Sequence, residues 1–173
     1  MSQRYTITAI SLHWLMALAF FALFGLGFYM TGLPLSPTKL QVYSWHKWAG
    51  VSLFFLAVLR LLWRRIHRPP AFPSSMSVQA RQLAHLGHWA LYFFMFAIPL
   101  SGWLMSSAMG FQTVWFGVLP LPDLVGKDKA LAQWLGSAHL YLNVAFMMTI
   151  VGHIGAALKH QFIDKDNVFD RIK

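Results

Sequence analysis

Four long apolar runs, separated by short stretches rich in proline, glycine and charge, account for most of the chain. The first uncharged run covers residues 5–38 and predicts a helix over about 10–30, with Pro34, Ser36 and Pro37 marking the turn behind it. This run is too long for the apolar region of a signal peptide and no convincing cleavage site follows it, so it predicts a retained span. A second helix, about 41–65, has an apolar middle between Lys47 and Arg60 and long basic side chains able to snorkel at both ends. A third, about 79–109, contains Pro99, whose missing amide predicts a kink. The fourth, about 129–159, holds the charge-free stretch 130–158. Each is long enough to cross a bilayer, which takes roughly 20 residues. The pattern predicts an all-α membrane protein, a four-transmembrane-helix bundle forming one domain over 1–173. The connections 64–81 and 110–129 read as irregular, and 164–173 as a polar tail.

Composition sharpens this only by exclusion. With 57% hydrophobic and 11% charged residues and a mean hydropathy of +0.52, the chain does not read as a soluble domain. A net charge of +9 raises nucleic acid as a partner, but the basic residues follow membrane topology instead. Arg4, Arg60, Arg64, Arg65, Arg68, Arg81, Lys159, Lys165, Arg171 and Lys173 fall on one side; Lys39, Lys47, Lys127 and Lys129 fall on the other. Ten against four places both termini in the cytoplasm and predicts membrane lipid, not nucleic acid, as the surroundings. The tryptophans form two belts, with Trp14, Trp63 and Trp89 inside and Trp45, Trp48, Trp103, Trp115 and Trp134 at or near the outer boundary. The absence of cysteine excludes an iron–sulfur cluster and a thioether-attached haem.

The candidate chemistry lies in the histidines. His139 and His153 are fourteen residues apart, two heptads, so both lie on one seam of the fourth helix, separated by about 21 Å along it. On the predicted topology His13 shares the inner depth with His153, and His46 shares the outer depth with His139. Three helices thus supply two pairs of imidazoles, and a haem iron with two axial histidines needs such a pair from facing helices. Gly27 and Gly50 lie on seams where a flat macrocycle can approach the backbone, and Arg60, fourteen residues after His46, can pair with a haem propionate or simply snorkel. His85 and His88 share one face at the start of the third helix and can bind a propionate, a quinone carbonyl or a metal, or replace His13 as inner ligand. His67 and His160, among basic residues, are expected to be solvated. An isolated boundary histidine is commonly just interfacial; four that pair at two depths are harder to explain that way.

The segment Ile10-Ser11-Leu12-His13-Trp14, the His46-x-x-x-Gly50 start of the second helix with Arg60 beyond it, Ala84-His85-Leu86-Gly87-His88, the His139/His153 spacing and Lys165-Asp166-Asn167 together resemble the bacterial cytochrome b561 family over essentially the whole length. The resemblance implies a four-helix inner-membrane protein enclosing two non-covalently held haem b groups. It implies that His13 and His153 ligate the inner haem iron, and His46 and His139 the outer one. It further implies electron exchange with ubiquinone. One type of member is a superoxide oxidase that passes electrons from periplasmic superoxide to ubiquinone; others are haem subunits of hydrogenases and other dehydrogenases.

Iron with two axial imidazoles has no open position, so outer-sphere electron transfer is the expected chemistry and oxygen binding is disfavoured. The leading expectation is an electron-transfer oxidoreductase of the superoxide oxidase type. The alternative is a haem-bearing membrane-anchor subunit for a larger dehydrogenase or a periplasmic redox protein. A third reading makes the histidines a proton or metal pathway without haem and predicts a colourless protein. The outer lysines can draw in an anion such as superoxide, although solubility alone explains such charges in a loop. A quinone is expected beside the inner haem, where His85, His88 and Tyr92 next to Arg81 offer donors to its carbonyls.

Overall fold

In the computed structural model, which describes residues 4–173, four long helices carry the fold: α1 (Ile7–Gly32), α2 (Pro37–Ile66), α3 (Val78–Ala108) and α4 (Lys129–Lys159). Each begins at a side-chain cap. The hydroxyls of Thr6, Ser36 and Ser77 accept from the amides of Ala9, Lys39 and Ala80, and Asp128 Oδ1 accepts from Ala130 N and Leu131 N at 2.9 and 3.0 Å. These caps explain why α1 and α2 begin earlier than the apolar pattern predicts: a polar first turn adds no hydrophobic periodicity. Ser36 and Pro37, expected in the turn, are the cap and first residue of α2. Lys39 Nζ then donates to Leu33 O at 2.6 Å and so satisfies a carbonyl at the end of α1. Asp128→Ala is expected to cost about 1 kcal/mol, because it frees two amides at the start of α4, and thermal unfolding in detergent will read it.

The connection before α4 contains a small antiparallel hairpin, β1 (Val114–Trp115) and β2 (Leu119–Pro120), with Trp115 opposite Leu119. The chain reverses through Phe116 and Gly117, both in left-handed backbone, which glycine adopts freely. Two indoles pin the hairpin to α2: Trp48 Nε1 donates to Val114 O at 2.6 Å, and Trp115 Nε1 donates to Ser52 Oγ at 3.2 Å.

The C-terminal segment is not a free polar tail. After a π-helical turn (His160–Asp164), the left-handed Lys165 stops the helix, and a 3-10 turn (Phe169–Arg171) brings the chain back to the start of α1. Tyr5 N donates to Arg171 O and Trp14 Nε1 to Ile172 O, at 3.1 and 2.9 Å. His160, expected to be solvated, is instead largely buried, with Nδ1 2.7 Å from Asp166 Oδ2 and 3.1 Å from Asp164 Oδ2. Its basic neighbours in sequence suggested solvent; the returning carboxylates came from farther along the chain.

The core is a cluster of Met16, Phe20, Leu53, Ala57, Met95, Ile98 and Phe146, to which all four helices contribute. Phe146 lies seven residues from each histidine of α4 and meets Phe20 edge-on at 5.1 Å. Outward-facing residues are apolar too, among them Leu18, Phe28, Leu140 and Met148, as expected of a surface that meets lipid. By length and composition α1, α3 and α4 are able to cross a membrane; α2 is the fourth helix, interrupted by His46, Lys47 and Arg60. The backbone of α4 packs closely along α3 but stands off from α1 and α2. The histidines of α4 look across that gap.

Candidate functional site

Two pairs of imidazoles face each other inside the bundle. His13 of α1 and His153 of α4 have ring centres 6.3 Å apart with planes at 63°, and His46 of α2 and His139 of α4 have centres 6.5 Å apart with planes at 78°. A metal–imidazole bond of about 2.0–2.1 Å, with about 1.1 Å from nitrogen to ring centre, places two axial imidazoles about 6.3 Å apart. Both pairs match that spacing. At the His13–His153 pair the helices leave a cavity between them. The Nδ1 atom of His46 is buried without a hydrogen-bond partner among the described residues.

The inner pair stands in a polar group drawn from four helices. Arg60 Nη2 lies 3.0 Å from His13 Nδ1, and its Nε donates to Tyr92 Oη at 3.4 Å. Arg60 is therefore turned inward toward His13 and not out to the boundary. A guanidinium only donates, so His13 Nδ1 accepts here and the ring proton sits on Nε2. His88 also meets His153, with ring centres 5.7 Å apart. A cavity of about 460 Å³ is lined by His13, Arg60, His88, Tyr92 and His153 and, at the same end of the bundle, by Trp63, His67 and Phe169.

The outer pair is set differently. Ser101 Oγ, on α3, is 2.9 Å from His139 Nδ1 and donates to Ile98 O at 2.8 Å. Beside it, Gly102 lets the ring lie against bare backbone: a Cβ at that position would be 3.2 Å from His139 Cε1. Gly27 plays a milder part for the partner ring, since its Cβ would lie 3.6 Å from His46 Cε1, whereas Gly50 faces open space. Lys47 Nζ, next to His46, donates to Ser106 Oγ and to the carbonyls of Phe111 and Gln112, at 3.3–3.5 Å. It anchors the connection after α3.

Of the residues singled out from the sequence, the structure thus gathers His13, His88, His153 and Arg60 at one depth and His46 and His139 at the other. His85 stands apart, edge-on to Phe72 at 5.1 Å. Arg81, expected beside the quinone donors His85, His88 and Tyr92, donates to the carbonyls of Pro73, Ser74 and Met76 and braces the connection before α3. Sequence reasoning missed Ser101 and Gly102. A serine–glycine pair just after Pro99 was the available signal, but only α4 packing against α3 shows which ring it meets.

A helical bundle with apolar outer faces, holding paired imidazoles at two depths between its helices, defines the class: a helical membrane protein whose histidines meet in pairs inside the bundle. The model of the family described as prokaryotic cytochrome b561 matches residues 4–173. Cytochrome b561 homolog 2 of Escherichia coli (strain K12) is 36% identical over 171 residues, covering 98% of this chain and 91% of the relative. The probable superoxide oxidase CybB of Yersinia pestis is 28% identical over 173 residues, covering 99% and 97%. Cytochrome b561 homolog 1 of Escherichia coli (strain K12) is 28% identical over 176 residues, covering 98% and 97%. The chain belongs to the prokaryotic cytochrome b561 family, and with it to the membrane electron-transfer proteins that bind b-type haem.

Proposed function

We propose that this single-domain chain carries electrons across the bacterial inner membrane through two haem b groups, from superoxide on the outer side to ubiquinone on the inner side. The observation that carries the reading is the two imidazole pairs, 6.3 and 6.5 Å between centres, on one helix fourteen residues apart. When bound, haem b supplies a one-electron couple, and two axial imidazoles keep it closed to oxygen. In this reading His13 and His153 are the axial ligands of the inner group and His46 and His139 those of the outer. His88 also meets the ring of His153, 5.7 Å between centres, and in this reading would stand beside the inner group. Arg60, 3.0 Å from His13 Nδ1, would offer its guanidinium to a propionate of the inner group.

In this reading α2 is the fourth span. Its polar residues are directed inward, His46 toward His139 and Arg60 toward His13, while Phe55, Leu59 and Leu62 are exposed on its outer side. Nine cations at the end bearing both termini, leaving aside the inward-turned Arg60, against four at the other, support a cytoplasmic position for that end. The superoxide donor is suggested by the relative named a probable superoxide oxidase. The quinone is placed at the cytoplasmic mouth of the inner cavity, whose apolar walls suit its tail and whose His88 and Tyr92 can donate to its carbonyls.

The test is the purified full-length protein in detergent. Two haem b per chain, and ubiquinone reduction driven by a superoxide source, are the expected results. A colourless protein would overturn the haem reading. A dihaem protein inert to superoxide would assign the chain to a larger redox complex. Separately, His88→Ala is expected to keep both haems and to slow oxidation of the reduced protein by ubiquinone at least several-fold, read by stopped-flow absorbance. Unchanged oxidation would put the quinone elsewhere.

A further inference from the structure

We infer that Ser101 is a positioning residue for the outer haem: its hydroxyl holds His139 by Nδ1 and so sets which nitrogen is offered to the iron and how basic that nitrogen is. The inference rests on the reading of His139 as an axial ligand. A serine hydroxyl has one hydrogen, and Ser101 directs it at Ile98 O, 2.8 Å away in its own helix. What remains toward His139, at 2.9 Å, is a lone pair, so Nδ1 is the donor and Nε2 carries the free electron pair. The three groups form a relay from imidazole to hydroxyl to carbonyl, in which each bond polarises the next. Ser101 is 7% exposed, so water does not compete for either bond.

The other three imidazoles lack this support. His46 Nδ1 has no partner among the described residues, and His13 Nδ1 faces a cation. No hydrogen bond to His153 is seen among the described side-chain contacts, in which it meets the rings of His13 and His88. Donation from Nδ1 makes an imidazole a stronger base toward its metal, and loss of such a partner typically weakens the metal's hold about 10–100-fold. A more basic axial ligand favours ferric over ferrous iron. Ser101 therefore lowers the potential of the outer haem relative to an unsupported histidine, and makes it a readier donor to the inner one.

The experiment compares S101A and S101T with the unaltered full-length protein, by redox titration that resolves the two haems and by electron paramagnetic resonance of the oxidised low-spin signals. S101A is expected to raise the outer midpoint potential and shift the outer signal, with the inner haem unchanged; S101T, which keeps the hydroxyl, is expected to restore both. Loss of the outer haem in S101A but not in S101T equally supports the hydroxyl's role. An S101A protein with both potentials and both signals unaltered overturns the inference, and so does an equal change in both variants, which would show packing alone. H139A separates this from the ligand assignment. An outer haem retained in H139A overturns the assignment and the inference with it, whereas loss of that haem beside a silent S101A overturns only the role of Ser101.

Discussion

Replacing His153 with alanine is expected to remove the inner haem and leave the outer one, so that haem per chain falls by about half. His153 is the α4 partner of His13 and also meets His88, so its loss leaves no imidazole on α4 at the inner depth. The outer pair lies about 21 Å away along α4 and draws on α2 instead of α1. The packed ring of Phe146 stands between the two sites, 2% exposed, and insulates one from a defect in the other. A haemochrome assay counts the haem, and the reduced spectrum shows which group remains. Two haems retained in His153→Ala would sink the axial assignment.

The second large effect is expected from a residue that bonds to nothing. Gly102→Leu should expel the outer haem while sparing the inner one, because the first added carbon already meets His139 Cε1 at 3.2 Å and the rest of the side chain has to displace the ring. The helices have little freedom to part there, since α3 and α4 are the most extensively packed pair in the bundle. A shift of under an ångström takes an axial imidazole out of bonding range. Gly102→Ala is the graded control: a few tenths of an ångström accommodate it, so it should keep the haem with a perturbed spectrum. Size-exclusion chromatography verifies that both variants are folded. Two intact haems in Gly102→Leu would show that His139 has no need of its observed position.

What the sequence made legible follows from which forces act locally. Helix positions and the depths of His13, His46, His139 and His153 depend on a rise of about 1.5 Å per residue and on apolar run length, both readable from one chain. Contacts made by the returning tail were hidden. The pairing of His160 with Asp166 depends on a π-helical turn and a left-handed Lys165, neither of which has a hydrophobic period. The direction of a long side chain was equally opaque: Arg60 and Arg81 look alike in sequence, yet one reaches His13 and the other braces a loop. Ser101 and Gly102 became visible only once α3 was laid against α4.

The spacing of the two sites on α4 has an electrical consequence. Fourteen residues at about 1.5 Å each cover roughly two-thirds of a hydrocarbon layer about 30 Å thick. An electron handed from the outer to the inner site therefore crosses about that fraction of the transmembrane voltage. A full crossing is worth about 2.3 kcal/mol per 100 mV, so this step is worth about 1.5. With the cytoplasm negative, the work opposes inward transfer. If the two sites carry electrons inward as proposed, an energised membrane would restrain delivery to the inner side and a collapsed one would release it, and the helix that separates the two imidazole pairs would make the protein responsive to the membrane's charge.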